Sequence, residues 1–303
     1  MNRAESTRLL LADGSLSITT TSDAAPLIEG WMPLGLVPAE SPAVADIAVS
    51  VGEGTAAPDG RPTLRLLDVA AWVDGDGVVI HHPSGAGGRV DLEARRAMLS
   101  LTARAPDAVE PALTLAAALL IGRAGRALVH AAAVVAPSGG AWLLVGDSHA
   151  GKSTTVATLA LAGWRYLSDD QVVVAERDRM LRVEGWRRAF NLDAEWDAGA
   201  VSGRRVGGVA VEGAVTGEWR VAGTLLPRVD AECPTALHTA TAAEGFEALV
   251  RQSPWLLADR TIARDASRQM ERVAQLPVRR LMLGRDSYRR PDHLSTMLAT
   301  LEP

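Results

Sequence analysis

Residues 141–170 read AWLLVGDSHAGKSTTVATLALAGWRYLSDD, and this stretch decides the fold. Ala141 to Val145 is a short apolar run that reads as a buried strand. Gly146-Asp147-Ser148-His149-Ala150-Gly151 is a glycine-bounded turn, and Lys152-Ser153 heads a segment predicted helical over Thr154 to Ala162 and closed by Gly163. The order is strand, loop, helix. The pattern G-x-x-x-x-G-K-[ST] has a physical reason at each fixed place. Two glycines let the backbone curl so that successive N–H groups face one concavity, and the helix N-terminus adds its partial positive charge. Lys152 would reach the β- and γ-phosphates of a nucleotide as a point charge, and the Ser153 hydroxyl would be a ligand of Mg²⁺. The predicted nucleotide-binding set is therefore Gly146, Asp147, Ser148, His149, Ala150, Gly151, Lys152, Ser153 and Thr154. His149 stands at a variable place where its backbone N–H matters and its side chain is expected to face outward. A chance match in a chain this long has a probability of roughly 1 in 100, and the strand-loop-helix context makes the signal more specific.

Trp164-Arg165-Tyr166-Leu167-Ser168 reads as the next strand and delivers Asp169 and Asp170 before a second apolar run, Val172-Val173-Val174. Upstream, Ala127 to Val135 runs into Pro137-Ser138-Gly139-Gly140 and out into the loop strand, which predicts a β-hairpin with a four-residue turn. The loop strand should thus have an antiparallel neighbour.

The run VHAAAVVAPSGGAWLLVGDSHAGKSTTVATLALAGWRYLSDDQVVV resembles the catalytic core of HPr kinase/phosphorylase, with its histidine-led hairpin, GDSxxGKS loop and strand ending in Asp-Asp. It looks closer still to the HPr-kinase-related proteins of biosynthetic gene clusters, among them kinases of lasso-peptide precursors. The firm resemblance covers residues 126–176, with weaker similarity to about residue 300. It implies an α/β fold, an HPr-kinase/PEP-carboxykinase-like P-loop core with a mixed sheet, preceded by a β-rich N-terminal domain. It implies ATP and Mg²⁺ as cofactors, with Lys152 and Ser153 on phosphate and metal, Asp169 as the base for an attacking hydroxyl, and Asp170 assisting with metal or substrate. His130 corresponds to the hairpin histidine and joins the catalytic set. The implied acceptor is a serine of a peptide or small protein, such as a biosynthetic precursor peptide, and the implied assembly is a homo-oligomer. Thr154 stands where the family usually carries Glu, and the family's signature for its protein substrate is not recognisable after Asp170. Both departures argue against HPr itself as substrate.

Phosphoryl transfer asks a protein mainly for positioning and charge neutralisation, so a loop lysine, a hydroxyl-held Mg²⁺ and a carboxylate near the γ-phosphate are nearly a full set of parts. A small-molecule hydroxyl as acceptor, a nucleotide-binding regulatory module without transfer, and plain hydrolysis are the competing readings.

The 303 residues as a whole are 48% hydrophobic and 22% charged, enough for one large or two modest domains. Net charge is −5 without long blocks of one sign, which disfavours nucleic-acid binding. No apolar signal core follows Met1-Asn2-Arg3-Ala4-Glu5, and the run from Leu113 to Ile121 is far shorter than the ~20 residues of a bilayer helix. Cys233 is the single cysteine. The expectation is a cytoplasmic protein without a membrane segment, disulfide or thiol metal site.

Two domains are expected, 1–105 and 106–303. The first is β-rich: 15–19 and 46–51 alternate, Ala71 to Val73 and Val78 to Ile80 flank the turn Asp74-Gly75-Asp76-Gly77, and 90–92 and 98–102 add strands. Pro83 to Gly88 reads as a loop, and His81 and His82 as ordinary strand-end histidines. Pro106 to Ile121 should be a helix buried on nearly every side, and Met180 to Val183 a further strand. The Gly- and Val-rich stretch 198–223, with Arg204 and Arg205, reads as a hairpin tip or a loop able to close over a nucleotide. Leu225 to Val229 reads as an edge strand, 245–257 and 260–276 as helices, 278–283 as a strand and 291–301 as a final helix. The eight tryptophans show no repeat.

Overall fold

A computed structural model describes residues 5–11, 14–29, 31, 44–102, 106–186, 215–289 and 291–301. They form two compact units, one of the described residues up to 128 with 254–268, the other of 129–253 with 269–303.

In the first unit lie β1 (Glu5–Leu11), β2 (Gly14–Thr20), β3 (Ala45–Val51), β4 (Leu64–Leu66), β5 (Val69–Asp74), β6 (Gly77–His81), β7 (Gly87–Asp91) and β8 (Arg96–Leu101). They make one sheet in the order β1-β2-β3-β8-β7-β6-β5-β4. The pairs β2–β3 and β3–β8 are parallel and the others antiparallel. The alternation read in 46–51 has its physical counterpart in β3, where Ala45, Ile47 and Val49 face inward. The loop expected over 83–88 ends at Ala86, because Gly87 and Gly88 already pair with β6. His81 and His82 are engaged locally, His81 Nδ1 at 3.1 Å from the Thr55 carbonyl and His82 Nδ1 at 2.7 Å from Ser84 Oγ.

A short helix, α1 (Ala25–Ile28), follows β2, and α2 (Val109–Arg123) packs on β3, β7 and β8. From Val109 to Gly122 only Glu110 is exposed, so no polar face exists to set against water. Such a helix needs cover all round, and strands from the N-terminal part supply it. The boundary expected near residue 105 therefore differs from the observed division, which keeps α2 with the first unit.

The chain continues through β9 (Ala127–Val129), β10 (Ala132–Val135), β11 (Ala141–Leu144), α3 (Lys152–Leu161), β12 (Arg165–Ser168), β13 (Gln171–Arg177), β14 (Met180–Trp186), β15 (Trp219–Val229), β16 (Ala236–Thr239), α4 (Ala242–Arg251), α5 (Arg260–Ala274), β17 (Val278–Leu283), α6 (Arg285–Arg289) and α7 (Pro291–Ala299). The second sheet runs β12-β10-β11-β15-β14-β13-β9, with β17 also on β15 and β16 on β17. It is mixed: β11 pairs antiparallel with β10 and parallel with β15. The stretch 127–135 is two strands, interrupted at His130-Ala131, and the expected hairpin lies between β10 and β11.

The reading of 225–229 as an edge strand is corrected, since those residues end the central strand β15. Its start pairs with β14 and its end with β17, and Gly223 lies between the two stretches. A Cβ there would sit 2.5 Å from the Pro277 carbonyl oxygen and from the Trp142 ring, which only glycine avoids. Pro227 is tolerated for a local reason. Thr224 N–H points to the β17 side, onto Pro277 O, so by alternation residue 227 would donate to the β11 side. β11 ends at Leu144, and the last bond on that side is Val145 N–H to Leu225 O, short of residue 227.

The core of this unit joins Trp142 and Leu144 of β11, Val156 and Leu159 of α3, Leu225 of β15, and Leu294 and Leu298 of α7. Trp164 is buried, its indole N–H donating to Ser295 Oγ at 2.9 Å. The helix expected over 245–257 is shorter: α4 stops at Arg251 and a 3-10 turn covers Pro254–Ala258. Proline at 254 cannot continue a hydrogen-bonded helix. The helix α4 starts on a capping box, with Thr241 Oγ1 accepting from Glu244 N–H and the Glu244 carboxylate accepting from Thr241 N–H.

Candidate functional site

Strand direction alone gathers the predicted site residues. β12 is antiparallel to β10 and β10 to β11, so β11 and β12 run the same way and β10 starts where they end. The loop after β11, the Asp169-Asp170 pair after β12 and His130 just before β10 thus meet on one edge of the sheet. β15, parallel to β11, ends there too. Carboxyl edges of parallel strands are where open α/β sheets place ligands.

Gly151 caps α3 at φ 94°, in the left-handed region, with no side chain bonded to the first turn. His149 is also left-handed at φ 63°, with an exposed side chain as expected. Alternating handedness of this kind turns backbone N–H groups into a concavity that can accept an anion. Gly146 has little room, a Cβ there lying 3.2 Å from Ala150 Cβ and 3.5 Å from Pro227 O. Within the loop Ala150 N–H donates to Asp147 O at 3.2 Å. Asp147 and Ser148 are exposed, while Ser153 and Thr154 are half-buried at the head of the helix.

Lys152 is buried, 7% exposed, and its ammonium donates to Gly146 O at 2.7 Å and Asp147 O at 3.1 Å. Burial pushes it below the ordinary lysine value, against the opposing pull of the Asp170 and Asp147 charges. The result is a desolvated cation lying against the loop it would serve.

Asp169 is 4% exposed and accepts from Tyr166 Oη at 3.2 Å. Asp170 is half-buried, its Oδ1 3.1 Å from His130 Nε2. The fold thus sorts two adjacent carboxylates, one enclosed beside a phenol and the other open beside an imidazole. Among the described residues no group of three or more His, Cys, Asp or Glu side chains could hold a metal ion.

Sequence reasoning missed Gln252 and Tyr166. Gln252, just after α4 and buried, donates from Nε2 to Asp147 Oδ1 at 3.1 Å and accepts His130 N–H on its carbonyl at 3.0 Å. It links the loop to the hairpin histidine across more than a hundred residues of chain, a contact no local pattern announces. Tyr166 lies on the strand that delivers the acids, and a bulge between β10 and β12 accompanies its placement beside Asp169. Arg204 and Arg205 lie outside the described residues.

A cavity of about 490 Å³ opens beside the loop, lined by Val145 to Ala150, residues 226–229 and one side of α4 down to Gln252. No helix of the described residues is long and apolar enough to cross a membrane.

Together these features define a mixed α/β protein with a lysine-bearing strand-loop-helix and a carboxylate pair on one sheet edge. No protein-family model and no curated protein matches the chain. Among solved structures it is similar to the HPr(Ser) kinase/phosphatase from Coxiella burnetii, at 12% identity, over 57% of this chain and 94% of that one, with a TM-score of 0.32. At so low a score the chemistry rests on the site's own geometry.

Proposed function

We propose that the chain is an ATP- and Mg²⁺-dependent kinase of the HPr-kinase-like type, transferring the γ-phosphate to a serine hydroxyl of a peptide or small protein, such as a biosynthetic precursor peptide. One observation carries the reading: the enclosed Asp169 and the Asp170–His130 pair come to the same sheet edge as the loop that leads into Lys152. Nucleotide binding alone requires no carboxylates there.

The residues present fit the nucleotide and its metal. The desolvated Lys152 ammonium is held by the neutral carbonyls of Gly146 and Asp147, from which it can turn to phosphate oxygens. Ser153, on the first turn of α3, would supply the metal's protein hydroxyl, with Asp170 assisting. Mg²⁺ commonly takes one or two protein oxygens plus phosphates and waters, which agrees with the lack of a larger acidic cluster among the described residues. Bound there, Mg²⁺ would neutralise charge developing on the β- and γ-oxygens. Asp169 would accept the proton of the attacking hydroxyl, with Tyr166 orienting it, and His130 would hold Asp170 in place.

The test is mass spectrometry of serine-containing acceptor peptides and free serine after incubation with ATP and Mg²⁺. Asp169→Asn should keep nucleotide binding and lose transfer by about 10² or more. Unchanged turnover would remove Asp169 from the mechanism. ATP binding without transfer to any acceptor would favour the regulatory module.

A further inference from the structure

Two positions of the loop are left-handed, and only one of them is glycine. Gly151 reaches φ 94° without steric cost, whereas His149 at φ 63° is strained by its Cβ in the same region. Among the described residues the other non-glycine positions with positive φ are Leu67, Arg95, Asp178 and Arg179, all in turns between paired antiparallel strands, where a hairpin demands that geometry. His149 lies in no hairpin. Backbone strain outside such turns persists where something else holds it, and it gathers at ligand sites. Nothing among the described residues offsets it here, since the exposed imidazole has no hydrogen bond or ion pair with them.

The imidazole lines the cavity beside the loop, and the charges around it are sorted. Each carboxylate of the lining already has a donor: Asp147 has Gln252 Nε2 at 3.1 Å, Glu244 has Arg280, and Glu247 has Arg251 at 3.1 Å. Arg228, exposed near the end of β15, also lines the cavity and has no ion pair among the described residues. It follows Pro227, whose carbonyl oxygen lies 3.5 Å from where a Gly146 Cβ would be, so its backbone is packed against the loop. The nitrogen-bearing side chains of the lining without a carboxylate are thus His149 and Arg228. Both are donors suited to an anionic oxygen. We propose that the His149 imidazole, together with the Arg228 guanidinium, binds a phosphate group of the ligand at the mouth of the loop. This side-chain grip is added to the backbone concavity, and it rests on the phosphate assignment of the loop. The contact offsets the strain at residue 149 only when ligand is bound, so the empty protein is less stable than a glycine there would make it.

The experiment is calorimetric titration of the full chain by pyrophosphate, with Mg²⁺ present, alongside denaturant unfolding without ligand. His149→Gly should raise the unfolding midpoint and yet weaken pyrophosphate binding about tenfold. His149→Asn keeps a side chain that tolerates the left-handed region but is too short to replace the imidazole, and it should weaken binding at least about fivefold. Arg228→Gln, outside the loop, should also cost about tenfold, and combined with His149→Gly it should lose less than the product of the two, because both act on one group. Wild-type affinity in His149→Gly overturns the proposal and leaves the phosphate reading standing. So does full binding by the asparagine variant beside weak binding by the glycine variant, which would make residue 149 a matter of loop shape. A midpoint that fails to rise in His149→Gly removes the strain on which the inference stands, and independent losses in the double variant remove the shared grip. No pyrophosphate binding by the wild type removes the phosphate reading itself, and the grip with it.

Discussion

Lys152 carries opposite pH signatures in two measurable quantities. Its folded value lies below the 10.5 of an ordinary lysine, because burial penalises the ammonium more than the Asp170 and Asp147 charges restore it. As pH rises through the folded value the charge that attracts phosphate is lost, so anion affinity should decline before an exposed lysine would titrate. Stability moves the other way: between the folded value and 10.5 the unfolded chain binds more protons, and stability toward unfolding rises with pH across that window. Pyrophosphate titration and denaturant unfolding on the alkaline side should therefore diverge, and Lys152→Met should flatten both trends. Parallel trends in the wild type would show that another group dominates. The lysine was legible in the sequence from its place in the loop motif. Its enclosure was not, because burial depends on what packs around α3.

At the scale of elements, the end of α4 governs the loop from outside it. Gln252 reaches Asp147 with its side chain and His130 with its backbone, so substitution separates the two links. Gln252→Ala should weaken nucleotide and pyrophosphate binding several-fold, as a lost hydrogen bond worth roughly 0.5–1.5 kcal/mol predicts. The carbonyl that holds His130 remains, so kcat should be kept while KM rises. A fall in kcat at unchanged KM would place Gln252 with the acids instead. The helix itself was visible in the 3.6-residue periodicity from 245, whereas its start at Ala242 was missed and its stop at Arg251 was overrun. Pro254 marked that stop, and periodicity alone ran past it.

At the scale of the whole molecule, α2 decides where the chain can be divided. Its Leu113, Leu115, Leu119, Leu120 and Ile121 are buried, and β3, β7 and β8 lie against it. Each such side chain contributes about 1.5–3 kcal/mol when fully buried, on the order of 10 kcal/mol for the five. That rivals the entire net stability of a domain, about 5–15 kcal/mol. A chain starting at residue 106, the expected domain boundary, should therefore be insoluble or unfolded in expression and circular dichroism trials. A soluble, cooperatively folding fragment from 106 would show that α2 finds its cover elsewhere.

By itself the sequence determined the strand-loop-helix from 141 to 163, the hairpin ahead of it, and the carboxylates that follow. These are local: a glycine pair, a lysine at a helix start and the periods of 2 and 3.6 are written within a few residues of each other. Only the tertiary structure decided which carboxylate is enclosed, that β15 is central despite Pro227, and that Gln252 braces the loop. Those outcomes depend on strand order and on contacts between residues far apart in the chain. Side-chain period tells a strand which face to bury, and it carries no information about which strand will lie beside it.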